Sequence, residues 1–448
     1  MSPATRPSLG FKAYLRPRVL IMLTLGFSSG LPLLLTGNTF GYWLRDEGTS
    51  LTAIGFISWV ANTYSLKFLW APLIDRAAPP FLKRFGRRRG WMLLSQIATA
   101  AGLFAMASCG LSGGLVMLGA FAFVVAFASA TQDIVIDAWR IETAASDEEL
   151  GLLTSAYQFG YRAALLATDA LILVAAEHFG WKTSYVACGI GMAIGIAATF
   201  LATEPQRADA VTDTQLRQAP LASARGIYDA IGGPFVMFFR THGWLALVML
   251  AAICLYRLPD FLMGPMANPL YHDIGLSKDY VGVVRGTVGI VASLAGIASG
   301  GAFVLRLGTM RALFAGGVMQ AIAVAAFAAL AHSSPSLTLF SAVMAGDNFS
   351  TSFAGVALIA YMSSLTSLGY TATQYALLSS AYAWAGRTLK AFSGLIVERL
   401  SATHGLMAAY EIFFIGAGAI GIPAILLFLF LASYGKQSER GEFNSRAA

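Results

Sequence analysis

The chain has 448 residues, 57% of them hydrophobic and only 12% charged, and its mean hydropathy is +0.66. Soluble domains carry about 25% charged residues, so a water-soluble enzyme, a disordered chain and a coiled coil are excluded together. The net charge of +7 does not indicate a nucleic-acid binder either, because the basic residues punctuate apolar segments instead of gathering on one polar face.

A hydrocarbon core about 30 Å thick is crossed by about 20 apolar helical residues. Windows of that kind predict an all-α polytopic membrane protein with twelve spans, at 18–41, 53–74, 91–110, 114–138, 151–176, 184–202, 244–267, 280–304, 312–331, 337–360, 373–397 and 406–434. The first follows Arg16 and Arg18, but it is too long for a signal peptide and lacks a small-residue cleavage site, so it is expected to remain as a helix. Gly30-Leu31-Pro32 interrupts it at nearly the depth where Arg257-Leu258-Pro259 interrupts the seventh span, and matching breaks in two halves point to a transporter site. Glycine pairs at Gly26/Gly30, Gly191/Gly195, Gly282/Gly286 and Gly296/Gly300 are expected where helices pack closely.

The long polar connection at 203–243 separates a six-helix half at 1–202 from a second at 244–434, with a tail at 435–448. Within it, Leu221, Ile227, Ile231, Phe235 and Phe238 have helical spacing, which suits either a helix on the membrane surface or a looser tether. Of the 30 Lys and Arg residues, about 20 fall in segments that are cytoplasmic if both termini are inside, which fixes that orientation. Cys109, Cys188 and Cys254 lie in apolar stretches without partner spacing, and the five histidines are scattered, so neither a disulfide nor a metal cage is expected. There is no phosphate-binding glycine loop. No cofactor is therefore expected, and transport draws on an ion gradient or runs downhill.

A charge inside a span costs about 2.5–3.5 kcal/mol unless it meets a partner or a water-filled cavity. Such charges occur at Lys67, Asp133, Asp137, Arg162 and Asp169 in the first half, and at Arg257, Asp260, Arg285, Asp347, Arg387 and Lys390 in the second. The third, sixth and ninth spans have none. That distribution resembles twelve-helix carriers of the major facilitator type, in which every third helix faces lipid. Asp75-Arg76 followed by Gly86-Arg87-Arg88-Arg89-Gly90 is similar to the loop between helices two and three of those carriers, with a longer insert at 77–85. The resemblance implies a gating clamp built on Asp75, Arg76 and Arg88, and a purely topogenic basic loop is the alternative.

The string Ser129-Ala130-Thr131-Gln132-Asp133-Ile134-Val135-Ile136-Asp137-Ala138-Trp139 resembles the signature of AmpG-type muropeptide permeases, a branch of the major facilitator superfamily. Gly26-Phe27-Ser28-Ser29-Gly30-Leu31-Pro32 is similar to the same family. So are Lys67-Phe68-Leu69-Trp70-Ala71-Pro72-Leu73-Ile74-Asp75-Arg76 and the stretch from Thr371-Ala372-Thr373-Gln374-Tyr375 to Ser380. Arg387 looks like a family arginine, Asp347-Asn348 stands where the family has Glu-Asn, and Arg285 where a lysine is common. Some members have fourteen spans. The resemblance implies a proton-coupled importer of anhydro-muropeptides in the bacterial inner membrane, working on cell-wall recycling. Related branches carry siderophores and, more distantly, acetyl-coenzyme A.

Six intramembrane cations against five carboxylates favour an anionic ligand, because guanidinium groups fork onto carboxylates and phosphates. Candidate substrate-binding residues are therefore Lys67, Arg162, Arg257, Arg285 and Arg387, with the amides of Gln132, Asn348 and Gln374. Tyr42, Trp43, Tyr256, Tyr375 and Trp384 are candidates for stacking on sugar rings. Asp133 and Asp137 share a helical face and cannot both be cheaply ionised without a nearby cation. With Lys67 and Arg162 as expected neighbours, Asp133 reads as a structural partner; Asp347, with no cation on its own helix, is the first candidate for proton coupling, ahead of Asp133, Asp137 and Asp260. A permanent salt-bridge network is the alternative for the first half. A membrane-embedded enzyme is disfavoured because no nucleophile or metal constellation faces one interface, and a monomer is expected.

Overall fold

The computed structural model describes residues 15–49, 57–79, 81–218, 223–332 and 336–447. Among them there are helices, turns and connections but no strand. Among the described residues, eight helical segments are long and apolar enough to cross a membrane. The chain forms two compact units. One comprises Met1–Lys67, Ala77–Ala145 and Leu152–Ala210; the other comprises Phe68–Arg76, Ser146–Gly151 and Val211–Ala448.

In the first unit, α1 (Pro17–Leu35) continues past Gly37 into α2 (Asn38–Asp46), and α3 (Arg87–Cys109), α4 (Leu115–Thr143), most of α5 (Asp147–Leu166) and α6 (Ile172–Leu201) complete the set. The aromatic core lies where α2 meets α6: Trp43 is stacked on Trp181 at 6.1 Å and packs against Tyr185 at 4.6 Å. Close approach of α1 and α5 depends on missing side chains. A Cβ at Gly26 or Gly30 would strike the backbone of Tyr157 or Tyr161, and one at Gly160 would strike the carbonyl of Leu23. Gly191 and Gly195 sit against Leu31 and Ser28 in the same way.

The predicted spans at 53–74, 151–176, 337–360 and 373–397 are not among those eight, and the fifth and second show why in their local structure. The fifth passes through a π-helical turn, Ala167–Leu171, and meets the sixth inside one continuous helical run, where Gly180 alone breaks the helix at φ 77°. A left-handed φ suits glycine, so the reversal needs no polar loop for sequence reading to detect. The second span is not one straight helix over its described part: it runs through 3₁₀ turns at Ser58–Ser65 and Lys67–Leu69 into the short helix Ala71–Arg76. Pro72 lacks an N–H and restarts the chain there; residues 50–56 lie outside the described part.

The second unit contains α7 (Ala224–Ile231), α8 (Gly233–His242), α9 (Leu245–Tyr256), α10 (Leu258–Asp273), α11 (Ile290–Leu307), α12 (Thr309–His332), α13 (Leu337–Ser364), α14 (Thr371–Leu389), α15 (Ser393–His404), α16 (Leu406–Ala419) and α17 (Gly421–Ala447). A second π-helical turn, Arg285–Gly289, precedes α11. The core is built on Tyr271, Phe327, Phe340, Phe413 and Phe414. Gly296 and Gly300 bring α11 onto the backbone of Phe349 and Phe353. The pair Gly282/Gly286 does not follow that pattern: among the described residues nothing lies within 4 Å of a Cβ at either position. The polar connection is helical at Gln206–Gln218, α7 and α8, with Ser223 capping α7 by accepting from the Gly226 N–H; Leu221 lies outside the described residues.

Candidate functional site

The motif on α4 is buried from Ala128 to Arg140. A charged helix face can be buried only if its polar groups find partners, and α1 supplies several of them through the other serine-glycine motif. Gln132 Nε2 donates to Ser28 Oγ at 3.2 Å, and the Ser29 hydroxyl donates to the Asp133 carboxylate. Ser29 Oγ also lies 2.9 Å from the Tyr157 hydroxyl on α5.

One helical turn further along, Asp137 sits between two cations. Lys67 Nζ is 3.8 Å from one carboxylate oxygen and Arg140 Nη2 is 3.2 Å from the other. The guanidinium of Arg140, fully buried, lies over the Tyr157 ring at 5.3 Å. The two carboxylates of α4 are thus treated differently: Asp137 is ion-paired, and Asp133 accepts from the Ser29 hydroxyl. Lys67 forms its ion pair with Asp137, and Arg162, on α5, is exposed. Sequence reading missed Ser29, Tyr157 and Arg140. Hydroxyl residues are too common to stand out, and Arg140 counts as one more basic residue at a helix end. The signal that was present is the pair Ser28-Ser29 between Gly26 and Gly30, small residues that let α1 come within reach of α4 and α5.

In the second unit, Arg257 Nη1 pairs with Asp260 at 2.8 Å and donates to the Thr351 carbonyl at 3.2 Å, while Thr351 Oγ1 donates to Asp260 at 3.3 Å. Arg285 donates to Asn268 at 2.6 Å and lies over the Tyr271 ring at 5.5 Å. Asn348 accepts from Ser293 at 3.3 Å and donates to the Met344 carbonyl, and its neighbour Asp347 is half-buried on α13. Arg387, Lys390 and Trp384 are exposed. Tyr256 and Tyr375 are buried, and Tyr256 spends its hydroxyl on the Leu313 carbonyl. Tyr42 lines a cleft of about 340 Å³ in the first unit together with Asp46, Glu177 and Trp181.

The residues expected to form a gating clamp fall into two clusters. Asp75, buried, caps the start of α14: its carboxylate accepts from the N–H of Ala372 at 3.0 Å, the N–H of Thr373 at 2.8 Å and the Thr373 hydroxyl at 2.7 Å. Free N–H groups and the helix dipole make that end a favourable place for a carboxylate. Arg76 pairs with Asp229 of α7 at 2.5 Å and lies over the Tyr370 ring at 5.0 Å, and Tyr370 donates to Asp229 at 2.9 Å. Gln374 belongs to this cluster, since its amide donates to the Pro234 carbonyl and accepts from the Ser367 N–H. Arg88 lies in the first unit, buried and paired with Glu142 at 2.5 Å, beside Arg87, which pairs with Asp209 at 3.0 Å. Glu204 caps α3 by accepting from the N–H groups of Arg88 and Arg89 at 2.6 and 3.0 Å. Burial raises its carboxyl above the usual glutamate range, although those two N–H groups act to lower it.

The chain matches the Major Facilitator Superfamily over residues 19–368. It is 35% identical over 420 residues to the anhydromuropeptide permease of Escherichia coli (strain K12), an alignment covering 93% of this chain and 80% of that one. An uncharacterized protein of Haemophilus influenzae is 33% identical over 435 residues, covering 94% of this chain and 96% of the other. The solved structure of the proton:xylose symporter XylE bound to 6-bromo-6-deoxy-D-glucose matches with a TM-score of 0.65 at 14% identity, over 93% of this chain and 96% of that one, a likeness of fold alone.

Proposed function

Since the chain belongs to the Major Facilitator Superfamily and, within it, to the anhydromuropeptide permeases, we propose that it imports anhydro-muropeptides with protons across the bacterial inner membrane. It does so as a monomer of twelve spans, six in 1–202 and six in 244–434, with both termini, the 203–243 connection and the 435–448 tail in the cytoplasm. The excess of Lys and Arg in those segments supports this orientation.

The observation that carries the coupling mechanism is the unequal pair on α4. Lys67 and Arg140 balance Asp133 and Asp137 when both carboxylates are ionised. Asp137 lies between two cations, whereas Asp133 accepts from the Ser29 hydroxyl, itself 2.9 Å from the Tyr157 hydroxyl, and Asp133 is therefore assigned the coupling proton. A proton on Asp133 leaves one net positive charge on the cluster, and that charge favours an anionic ligand. Proton binding and substrate binding then assist each other, as symport requires. This reading moves Asp133 ahead of Asp347 as the coupling group. Arg162, Arg257, Arg285 and Arg387, with Gln132 and Asn348, remain the groups proposed to contact substrate, and Asp260 is held as the partner of Arg257. Gln374 is better placed with the gate. There Asp75 and Arg76 tie the end of the second span to α14 and α7, while Arg88 holds α3 to α4 through Glu142.

The test is uptake of labelled anhydro-muropeptide, a ferric siderophore and acetyl-coenzyme A into proteoliposomes under an imposed pH gradient. Saturable accumulation of the muropeptide that collapses with the gradient is expected. Accumulation of the siderophore alone would overturn the substrate and keep the carrier.

A further inference from the structure

Among the described residues, Phe81 is the one non-glycine position with a left-handed backbone, at φ 65°, and its side chain is 98% exposed. Both properties cost free energy in water: a bulky L-residue is strained in that region, and an open aromatic ring forgoes the hydrophobic gain. The local structure nevertheless enforces them. Trp91 Nε1 donates to the Ala77 carbonyl at 2.7 Å, and Pro79 is buried so tightly against α3 that a Cβ at Gly90 would strike it. The loop is therefore clamped on the first turns of α3, and the ring of Phe81 is held outward.

The surroundings say what meets that ring. Lys83 and Arg84 follow it on a 3₁₀ turn and are exposed, with the Arg84 guanidinium 4.9 Å over the ring of Phe85. Phe85 packs edge-on against Phe200 at 5.8 Å, at the end of α6, and Phe200 and Leu201 are themselves 51% and 72% exposed. These apolar rings and two cations stand together on the loop between the predicted second span and α3, a helix long and apolar enough to cross a membrane, and beside the end of α6, another such helix. We propose that Phe81, Lys83 and Arg84 form an anchor for anionic phospholipid: the ring enters the acyl boundary and the cations engage the headgroup phosphates. The strain at Phe81 is offset only when the membrane covers it. The basic cluster of this loop then has a lipid partner in addition to any part in topology or gating.

The test uses the full-length protein in nanodiscs, with the native cysteines replaced and a spin label on Phe81→Cys. In discs containing phosphatidylglycerol, the label should be open to oxygen and shielded from an aqueous nickel chelate, at a depth of about 5–10 Å below the headgroups. In pure phosphatidylcholine discs, or with Lys83→Gln and Arg84→Gln, the water-exposed population should grow about fivefold per charge lost. In parallel, native mass spectrometry of the unlabelled protein should show phosphatidylglycerol retained by the wild type and lost from Phe81→Ser. A label equally open to the chelate in both lipids, as expected if the loop docks a soluble protein instead, overturns the proposal. So does equal depth in both lipids, which would leave the cations without a role.

Discussion

Asp75→Asn keeps the size and shape of the side chain and removes its charge, so it isolates the cap on α14. The carboxylate serves three donors, at 3.0, 2.8 and 2.7 Å, in a site closed to water. An asparagine has one acceptor oxygen. In its best orientation the oxygen keeps the two donors of Thr373, and the NH₂ group faces the N–H of Ala372. One charge-assisted bond is lost outright, at about 1.5–3 kcal/mol, and two fall to neutral strength at about 1 kcal/mol each. The sum, about 2.5–7 kcal/mol, is a factor of about 10² to 10⁵ in the population that keeps this contact. The assay is the reaction rate of a maleimide with Ala376→Cys in detergent, in a background without the native cysteines. Ala376 lies in the second turn of α14, 1% exposed, where α14 packs against the short helix Ala71–Arg76. The labelling rate should rise at least tenfold while membrane abundance stays normal. An unchanged rate would refute the reasoning, and lost abundance would favour a role of this segment in insertion.

Gly160→Ala should lower the unfolding temperature, because its Cβ meets the Leu23 carbonyl and separating α1 from α5 costs about 1–3 kcal/mol. Gly286→Ala, with open space around it, is the tolerated control. Asp133→Asn should abolish gradient-driven accumulation and retain substrate exchange, since a neutral amide stands in for the protonated acid; Asp347→Asn showing that split instead would move coupling to the second half. Asp137→Asn leaves Lys67 and Arg140 without their carboxylate and should reduce folded protein by about 3–5 kcal/mol of stability, measured as detergent-resistant fraction. For Glu204, burial raises the folded-state carboxyl above its unfolded value of about 4.3. Its stabilising share is therefore complete below that pH and is lost as pH rises through the folded value. Between pH 7 and pH 5 the unfolding temperature of the wild type should climb relative to Glu204→Gln; a gap that does not change with pH would refute this.

Hydropathy was enough to read an all-helical membrane protein, and eight of the predicted spans fall on helical segments long and apolar enough to cross a membrane among the described residues. The breaks were harder. Gly180 reverses the chain with one residue and leaves no polar signal, and the irregular stretch ahead of Pro72 still has the composition of a helix. The site was legible in fragments. Each family-like string supplies half of a contact: Ser28 and Ser29 meet Gln132 and Asp133, and Asp75 meets Thr371-Ala372-Thr373 from 297 and 298 residues away. A single sequence contains both halves and no statement that they meet. Choosing among Lys67, Arg140 and Arg162 as partner for a given carboxylate required distances, since all three are cations near the same helices. Asp229 and Tyr370 were invisible for a different reason, as ordinary polar residues in a connection and a turn.

The two π-helical turns alter how the charges on their helices should be indexed. Ala167–Leu171 and Arg285–Gly289 each hold one residue more than an α turn would, like an extra bead on a string of fixed pitch. Beyond such a turn every side chain is set back by about 100° around the axis relative to an uninterrupted helix. A helical wheel drawn through the whole span therefore assigns the wrong side to everything on its far end: Ile172 is out of phase with Arg162, and Gly296 with Arg285. The same offset applies when homologous spans are aligned. A relative with one residue fewer in 285–289 would present its cation a quarter-turn or more away from the direction of Arg285, even where every flanking residue is identical.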